Sequence, residues 1–256
     1  DQVKPDAWLV AENGDFVASD LNGFGWHGAM NYQGFMRPVW NWINLNTTIG
    51  GGFQGLPFAM PKINGKQLVA SMCSFNGSIP WRSLVASMVL LDSHDTARMR
   101  TVVLGDKELH LTAMTLLLTY PGVPSIFAGD EIGLQGSSGE DSRRTFNWED
   151  QSSWDTTFLG EVKKLISIRK KHDAFINGGL RWVLVEEDCL AFLRESKKET
   201  ILVFVSRKAV RTSIDLNKLG YVAKESLYGI SGDGSTITIN ESTPAQGVWI
   251  LESNQK

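Results

Sequence analysis

The chain changes its hydrophobic rhythm once, near residue 178, and that switch limits what it can fold into. Before it, short apolar runs alternate with longer helical patterns. "AWLVAE" (7–12), "GAMNY" (28–32) and "PSIFAGDE" (124–131) read as buried strands, and "WRSLVASMVLLDS" (81–93) starts as a helix and becomes a strand near 88–91. "FMRPVWNWINL" (35–45) and "GKQLVASMCSF" (65–75) carry helical spacing, and "IGGGFQGLP" (49–57) can only be a loop. "DKELHLTAMTLLLTY" (106–120), with its acidic first turn and Pro-Gly stop, is the clearest helix, and "FLGEVKKLISIRKKHDAF" (158–175) is a last amphipathic one. Strand, loop and helix repeated four times predict a parallel sheet with helices packed outside it.

After the switch, "RWVLVEED", "LAFLRES", "TILVFVSR", "TSIDL", "STITI" and "QGVWILES" are short, β-branched and partly alternating. They predict an antiparallel sheet or sandwich. The expected organisation is therefore an α/β domain over 1–177 and an all-β domain over 178–256.

Composition narrows the function. The formal net charge is -3 and Lys and Arg are scattered, which argues against a nucleic-acid partner. No apolar run approaches a membrane span. Cys73 and Cys189 have no metal-ligand spacing and read as free thiols, with one disulfide as the lesser reading. Cysteine usage leans toward a reducing, cytoplasmic setting. Gly50 to Gly52 do not precede a helix in phosphate-loop fashion.

In parallel α/β folds, chemistry collects at the carboxyl ends of the strands. Here those ends carry Glu12, Asn31, Asp95, and Asp130 with Glu131. Two carboxyl groups facing each other across such a rim can divide the work of glycoside hydrolysis. Spacing alone equally allows Asp95 to be a helix N-cap and Glu12-Asn13-Gly14 to be a solvated turn.

"LLDSHDTAR" (90–98) resembles the strand-seven signature of the alpha-amylase family, glycoside hydrolase family 13. "GVPSIFAGDEIG" (122–133) is similar to its strand eight, "DAWLVAENG" (6–14) to its strand five and "GAMNYQGF" (28–35) to its strand six. "EDSRRTFNW" (140–148) resembles the loop after strand eight in neopullulanase-like and cyclomaltodextrinase-like members. The order is correct and the resemblance covers the chain. It implies the second half, strands five to eight, of a (β/α)8 TIM barrel followed by an antiparallel β-sandwich. It further implies a retaining glycosidase acting on alpha-glucans or maltooligosaccharides.

By the same resemblance Glu12 is the general acid and base, and Asp95 the transition-state stabiliser. His94 is a sugar ligand beside the scissile bond, Arg143 and Asp141 grip sugars further along, and Trp148 lies near a sugar. The other tryptophans, Trp8, Trp26, Trp40, Trp42, Trp81 and Trp154, read mostly as core. Asp92 is expected to be structural, and Asp130 and Glu131 to orient the rim. No catalytic cofactor is implied, while a structural calcium is compatible with the family.

Three positions depart from the pattern: Asn13 stands where many members stack an aromatic, Ala128 replaces an aromatic before Gly-Asp-Glu, and Gly139 replaces an acidic loop residue. No Gly-x-Arg-x-Asp pattern, the family's nucleophile signature, occurs in residues 1–256. The expectation is a C-terminal part of a larger enzyme, inactive alone, with the N-terminal half of the barrel or a complementing chain as partner. A glucosyltransferase or isomerase of the same family, or a non-catalytic glucan-binding subunit, are the alternatives.

Overall fold

The computed structural model describes residues 4, 6–13, 17–21, 25–45 and 60–254. The loop expected over 49–57 lies outside the described residues. Four short parallel strands form the first layer: β1 (Val10–Ala11), β2 (Gly28–Ala29), β3 (Met88–Leu90) and β4 (Val123–Ser125). β1 pairs with β2, Met30 bridges to Met88, and β3 pairs with β4, so the spatial order follows the chain. Gly28 is required here. A Cβ on it would lie 2.4 Å from the Ala86 carbonyl oxygen, so only glycine lets β2 run against the end of α3 (Trp81–Ala86).

The strands are shorter than the sequence suggests. The apolar run at 124–131 pairs only through Ser125 and then leaves the sheet for a 3-10 turn at Asp130–Ile132, flanked by Gly129 and Gly133 at positive φ. The run at 28–32 passes from β2 into a five-residue π-helical turn, Tyr32–Met36, which the Asn31 side chain caps by accepting from the Gly34 N–H. That turn feeds α1 (Arg37–Ile43), whose Trp40 and Trp42 are buried.

α2 (Gly65–Ser78) opens with a reciprocal capping box between Asn64 and Gln67. α4 (Met99–Val102) follows the strand-seven signature. α5 (Lys107–Thr119) is capped by Asp106 and is buried on every face from Leu109 to Thr119. A helix apolar all round must be covered on both sides. β3 and β4 lead in on one side, and on the other lies a five-stranded antiparallel sheet in the order β5-β6-β7-β11-β9. These strands are β5 (Gly179–Val185), β6 (Cys189–Glu195), β7 (Thr200–Ser206), β9 (Tyr221–Gly229) and β11 (Gln246–Ser253). The remaining pair, β8 (Val210–Asp215) and β10 (Thr236–Glu241), packs on the sheet's other face around Trp249, Phe204 and Ile237.

The last helix is two helices. α7 (Thr156–Lys171) ends at His172, and α8 (Asp173–Asn177) starts anew. His172 Nδ1 lies 2.9 Å from Glu199 Oε2, and Glu199 Oε1 accepts the Ala174 N–H at 3.0 Å. A carboxylate of the β domain thus occupies the first turn of α8, where the helix dipole favours negative charge.

One apolar core runs through both regimes, joining Phe35, Leu117 and Phe158 to Phe192, Val203 and Val248. Two arginines, one buried and one half-buried, close the carbonyl end of α5 and the turn that follows it. Arg194, on β6, donates to the carbonyls of Thr119, Phe175, Gly178 and Gly179. Arg169, on α7, donates to those of Leu118, Tyr120 and Gly122. Burial lowers Arg194 to about 9 and Arg169 to about 10, and for Arg194 the neighbouring Arg169 charge adds to the effect.

Cys73 is exposed and Cys189 buried, both free thiols. Among the described residues no helix is long and apolar enough to cross a membrane.

Candidate active site

Glu12 follows β1 directly and is exposed, on the rim where the parallel strands end. Asp95 sits five residues beyond β3, in a loop tied by short local bonds. The Ser93 N–H donates to Thr96 Oγ1 at 2.9 Å, and the Asp95 N–H donates to Ser93 Oγ at 3.2 Å. Tyr32, on the π turn after β2, donates from its hydroxyl to Ser93 Oγ at 3.3 Å. Its phenol is raised above the ordinary value by burial first, with the negative charges of Asp95 and Glu12 adding to the shift. Tyr32 therefore lies within electrostatic reach of both carboxylates. Tyr32 and Ser93 stand inside the quoted motifs, yet nothing in their spacing marks them as joining the turn after β2 to the loop after β3.

Asp95 is not an N-cap. α4 begins at Met99, whose N–H donates to Asp92 Oδ2 at 2.6 Å, so the capping belongs to Asp92 and the Asp95 side chain is left on the rim. There Asp95 Oδ1 is 3.0 Å from an Arg143 terminal nitrogen and 3.5 Å from His94 Nε2. Arg143 also donates from Nε to the His94 carbonyl at 3.0 Å. A half-exposed carboxylate is thus flanked by one guanidinium and one imidazole.

Arg143 arrives on a loop held from below. Arg98, only 1% exposed, donates to Ser142 O through Nε and a terminal nitrogen, to Ala128 O at 3.0 Å and to Asp130 Oδ1 at 2.8 Å, with its guanidinium 4.0 Å from the Phe127 ring centre. The arginine of "LLDSHDTAR" is therefore the buried joint between β3, β4 and the Arg143 loop. Asp92 shares a hydrogen bond with Asp130 in the same pocket, and burial raises both acids, Asp130 well above its ordinary value. Two carboxyl groups and one arginine, all out of water, retain one proton between the acids.

Gly139 leans on the site from the same loop. A Cβ there would meet the Asp95 backbone at 3.0 Å, which explains why an acidic side chain is missing at this position.

The other expected sugar ligands lie further out. Asp141 accepts from the Ser137 N–H at 2.7 Å, from the Ser137 hydroxyl at 2.9 Å and from Arg144 at 2.7 and 2.9 Å. The Ser137 N–H and the Arg144 guanidinium hold its acid at about 2, so it is ionised and committed to its own loop. Trp148 is 70% exposed and stacks on Phe146 at 4.2 Å, with Trp154 edge-on at 6.1 Å. Trp8, Trp26 and Trp81, expected to be core, are instead close to half exposed at 47%, 44% and 45%. They precede strands or open a helix, where the ring has no layer to cover it.

The fold is that of known (β/α)8 enzymes. A debranching enzyme from Nostoc punctiforme superposes with a TM-score of 0.84 at 23% identity, over 97% of this chain and 53% of that one. Residues 55–145 match the family described as Alpha amylase, catalytic domain. A cyclomaltodextrinase from a Bacillus species is 30% identical over 80% of this chain and 34% of its own length. An amylopullulanase from Thermoanaerobacter thermohydrosulfuricus is 28% identical over 93% of this chain and 17% of its own. Residues 55–145 are thus alpha-amylase-family sequence. The whole chain spans about a third or less of the curated relatives it matches.

Proposed function

We propose that this chain supplies the acid and the transition-state stabiliser of a retaining hydrolase that cleaves alpha-glucosidic bonds in maltooligosaccharides. The observation that carries the reading is the placement of Glu12 and Asp95 beyond the carboxyl ends of parallel strands β1 and β3, with His94 and Arg143 beside Asp95. Glu12 would give its proton to the leaving glycosidic oxygen and later take one from the incoming water. Asp95, its charge steered by Arg143 and His94, would face the positive charge that develops on the departing sugar.

The four parallel strands are, in this reading, strands five to eight of the barrel, and the sheet with its β8–β10 pair the sandwich that follows. An open edge on β1 and another on β4 ask for partner strands, which the N-terminal half of the barrel would provide. The covalent step needs a third carboxylate, and no Arg-x-Asp strand pattern occurs in residues 1–256. The nucleophile would then come from that half. A Bacillus subtilis relative named intracellular maltogenic amylase supports a cytoplasmic location.

The test is hydrolysis of maltotriose by the purified 256-residue chain. No turnover is expected from it alone, and turnover is expected when a barrel half bearing the Arg-x-Asp strand is added. Turnover by the chain alone that vanishes in Glu12→Gln would refute this account of the nucleophile.

A further inference from the structure

A second aromatic site lies at the other end of the strands. Trp8 stands two residues before β1 and Ala86 two residues before β3, so the cleft between them opens away from the rim that carries Glu12 and Asp95. It encloses about 440 Å³, within the range of about 300–1,000 Å³ typical of small-ligand sites. Asp6, Trp8, Trp26, His27, Arg82 and Ser83 line it.

Its walls are fixed before any ligand arrives. Trp8 donates from Nε1 to the Ala86 carbonyl at 2.8 Å, which sets its ring while leaving 47% of the residue exposed. His27 accepts the Leu9 N–H at Nδ1 at 2.9 Å, which fixes its ring. Trp26 is held through its backbone N–H on Asp20 O and keeps 44% of its surface exposed. Asp6 and Arg82 give the cleft one charge of each sign, which disfavours an ionic ligand. A purely apolar ligand would strip water from Asp6, Arg82 and His27 and give nothing back.

A pyranose fits both demands. Its C–H face covers an indole while its hydroxyls donate to a carboxylate and accept from a guanidinium or an imidazole N–H.

We propose that the Trp8–Trp26 cleft is a glucan-binding site separate from the catalytic rim, taking a neutral alpha-glucan segment of one or two sugar units. The choice of alpha-linked sugar rests on the function proposed above; the site itself rests on the cleft. Occupied, it would hold a second stretch of the polymer against the enzyme while another is cleaved.

Maltoheptaose binding to the full chain, followed by tryptophan fluorescence and by calorimetry in an Asp95→Asn background, tests it. Trp26→Ala and Arg82→Gln are expected to weaken binding, Trp26→Ala by about tenfold or more, as for a buried aromatic anchor. Circular dichroism and thermal unfolding matching the parent exclude loss of fold as the cause, since Trp26 packs in no core cluster. Unchanged affinity in both cleft variants, or no binding of any oligosaccharide, overturns the site. Binding of cellohexaose but not maltoheptaose, lost in Trp26→Ala, would keep the site and overturn the alpha-glucan reading.

Discussion

Replacing Asp130 by alanine leaves Arg98 buried without its direct counter-charge. The guanidinium keeps its bonds to Ser142 and Ala128, but these carbonyls carry no charge, and Asp92 acts on it only through its charge. Breaking a buried pair in this way costs about 3–5 kcal/mol. For a chain of this size each kcal/mol moves Tm by about 2–4 °C, so a loss of roughly 10 °C is expected. Asp92→Asn is the contrasting change. Its amide oxygen can still accept the Met99 N–H, and its NH2 can donate to Asp130 where the shared proton did, so the cost should stay within about 1 kcal/mol. The pH dependence separates them further. A pair whose folded pKa is raised contributes its stability fully below the unfolded carboxylate value and loses it as pH rises through the folded value. Wild-type stability should therefore fall, relative to Asp92→Asn, as pH climbs from about 4. Thermal unfolding of the three proteins from pH 4 to 8 reads all of this. Equal losses in Asp92→Asn and Asp130→Ala, or parallel pH curves for wild type and Asp92→Asn, would refute a shared proton.

Arg194→Lys keeps a charge but not the planar fork that reaches Thr119, Phe175, Gly178 and Gly179, and should cost about 2–3 kcal/mol in denaturant unfolding; a neutral result would remove the arginine from the joint. Asp155 loses some stability of its charge to burial, but the Phe158 N–H, the Thr157 hydroxyl and Lys107 outweigh it and hold the acid at about 2. Its contribution is thus present above the unfolded value near 4 and lost as pH falls through about 2. Asp155→Ala should cost about 1 kcal/mol at pH 7 through loss of the α7 cap, with the difference from wild type closing in acid, and a gap that widens below pH 4 would contradict the assignment.

The strand-and-helix rhythm made the two regimes readable because burial on both faces and on one face leave different periods. What the rhythm could not reveal is where an apolar run stops pairing. Residues 126–129 look as apolar as β4, but Gly129 at φ 105° turns the chain into the 3-10 element instead. β9 was missed for the opposite reason. "YVAKESLYG" breaks its apolar run with Lys, Glu and Ser in the middle, as suits a strand on the sheet edge with two register irregularities against β11. At the candidate site, ordered motifs single out Glu12, His94, Asp95 and Arg143, and the structure brings the last three together. Arg98, Ser93 and Tyr32 were not singled out, because their roles come from contacts across 32 to 61 positions of chain that no local spacing encodes. Asp141 illustrates the reverse: a charge in the right loop, with its oxygens taken by Ser137 and Arg144.

Glu199 and Arg194 reach out of the β sheet to finish helices that began before residue 178. The change in sequence pattern is therefore not a seam in stability. Hydrogen exchange should find the amides of α5 and β6 opening together, and a protease that nicks the turn at 177–179 should release two pieces that stay bound or collapse together. Selection on the rim that carries Glu12 and Asp95 then constrains the distal sheet as well, since a substitution at Arg194 loosens the end of the helix that leads into β4.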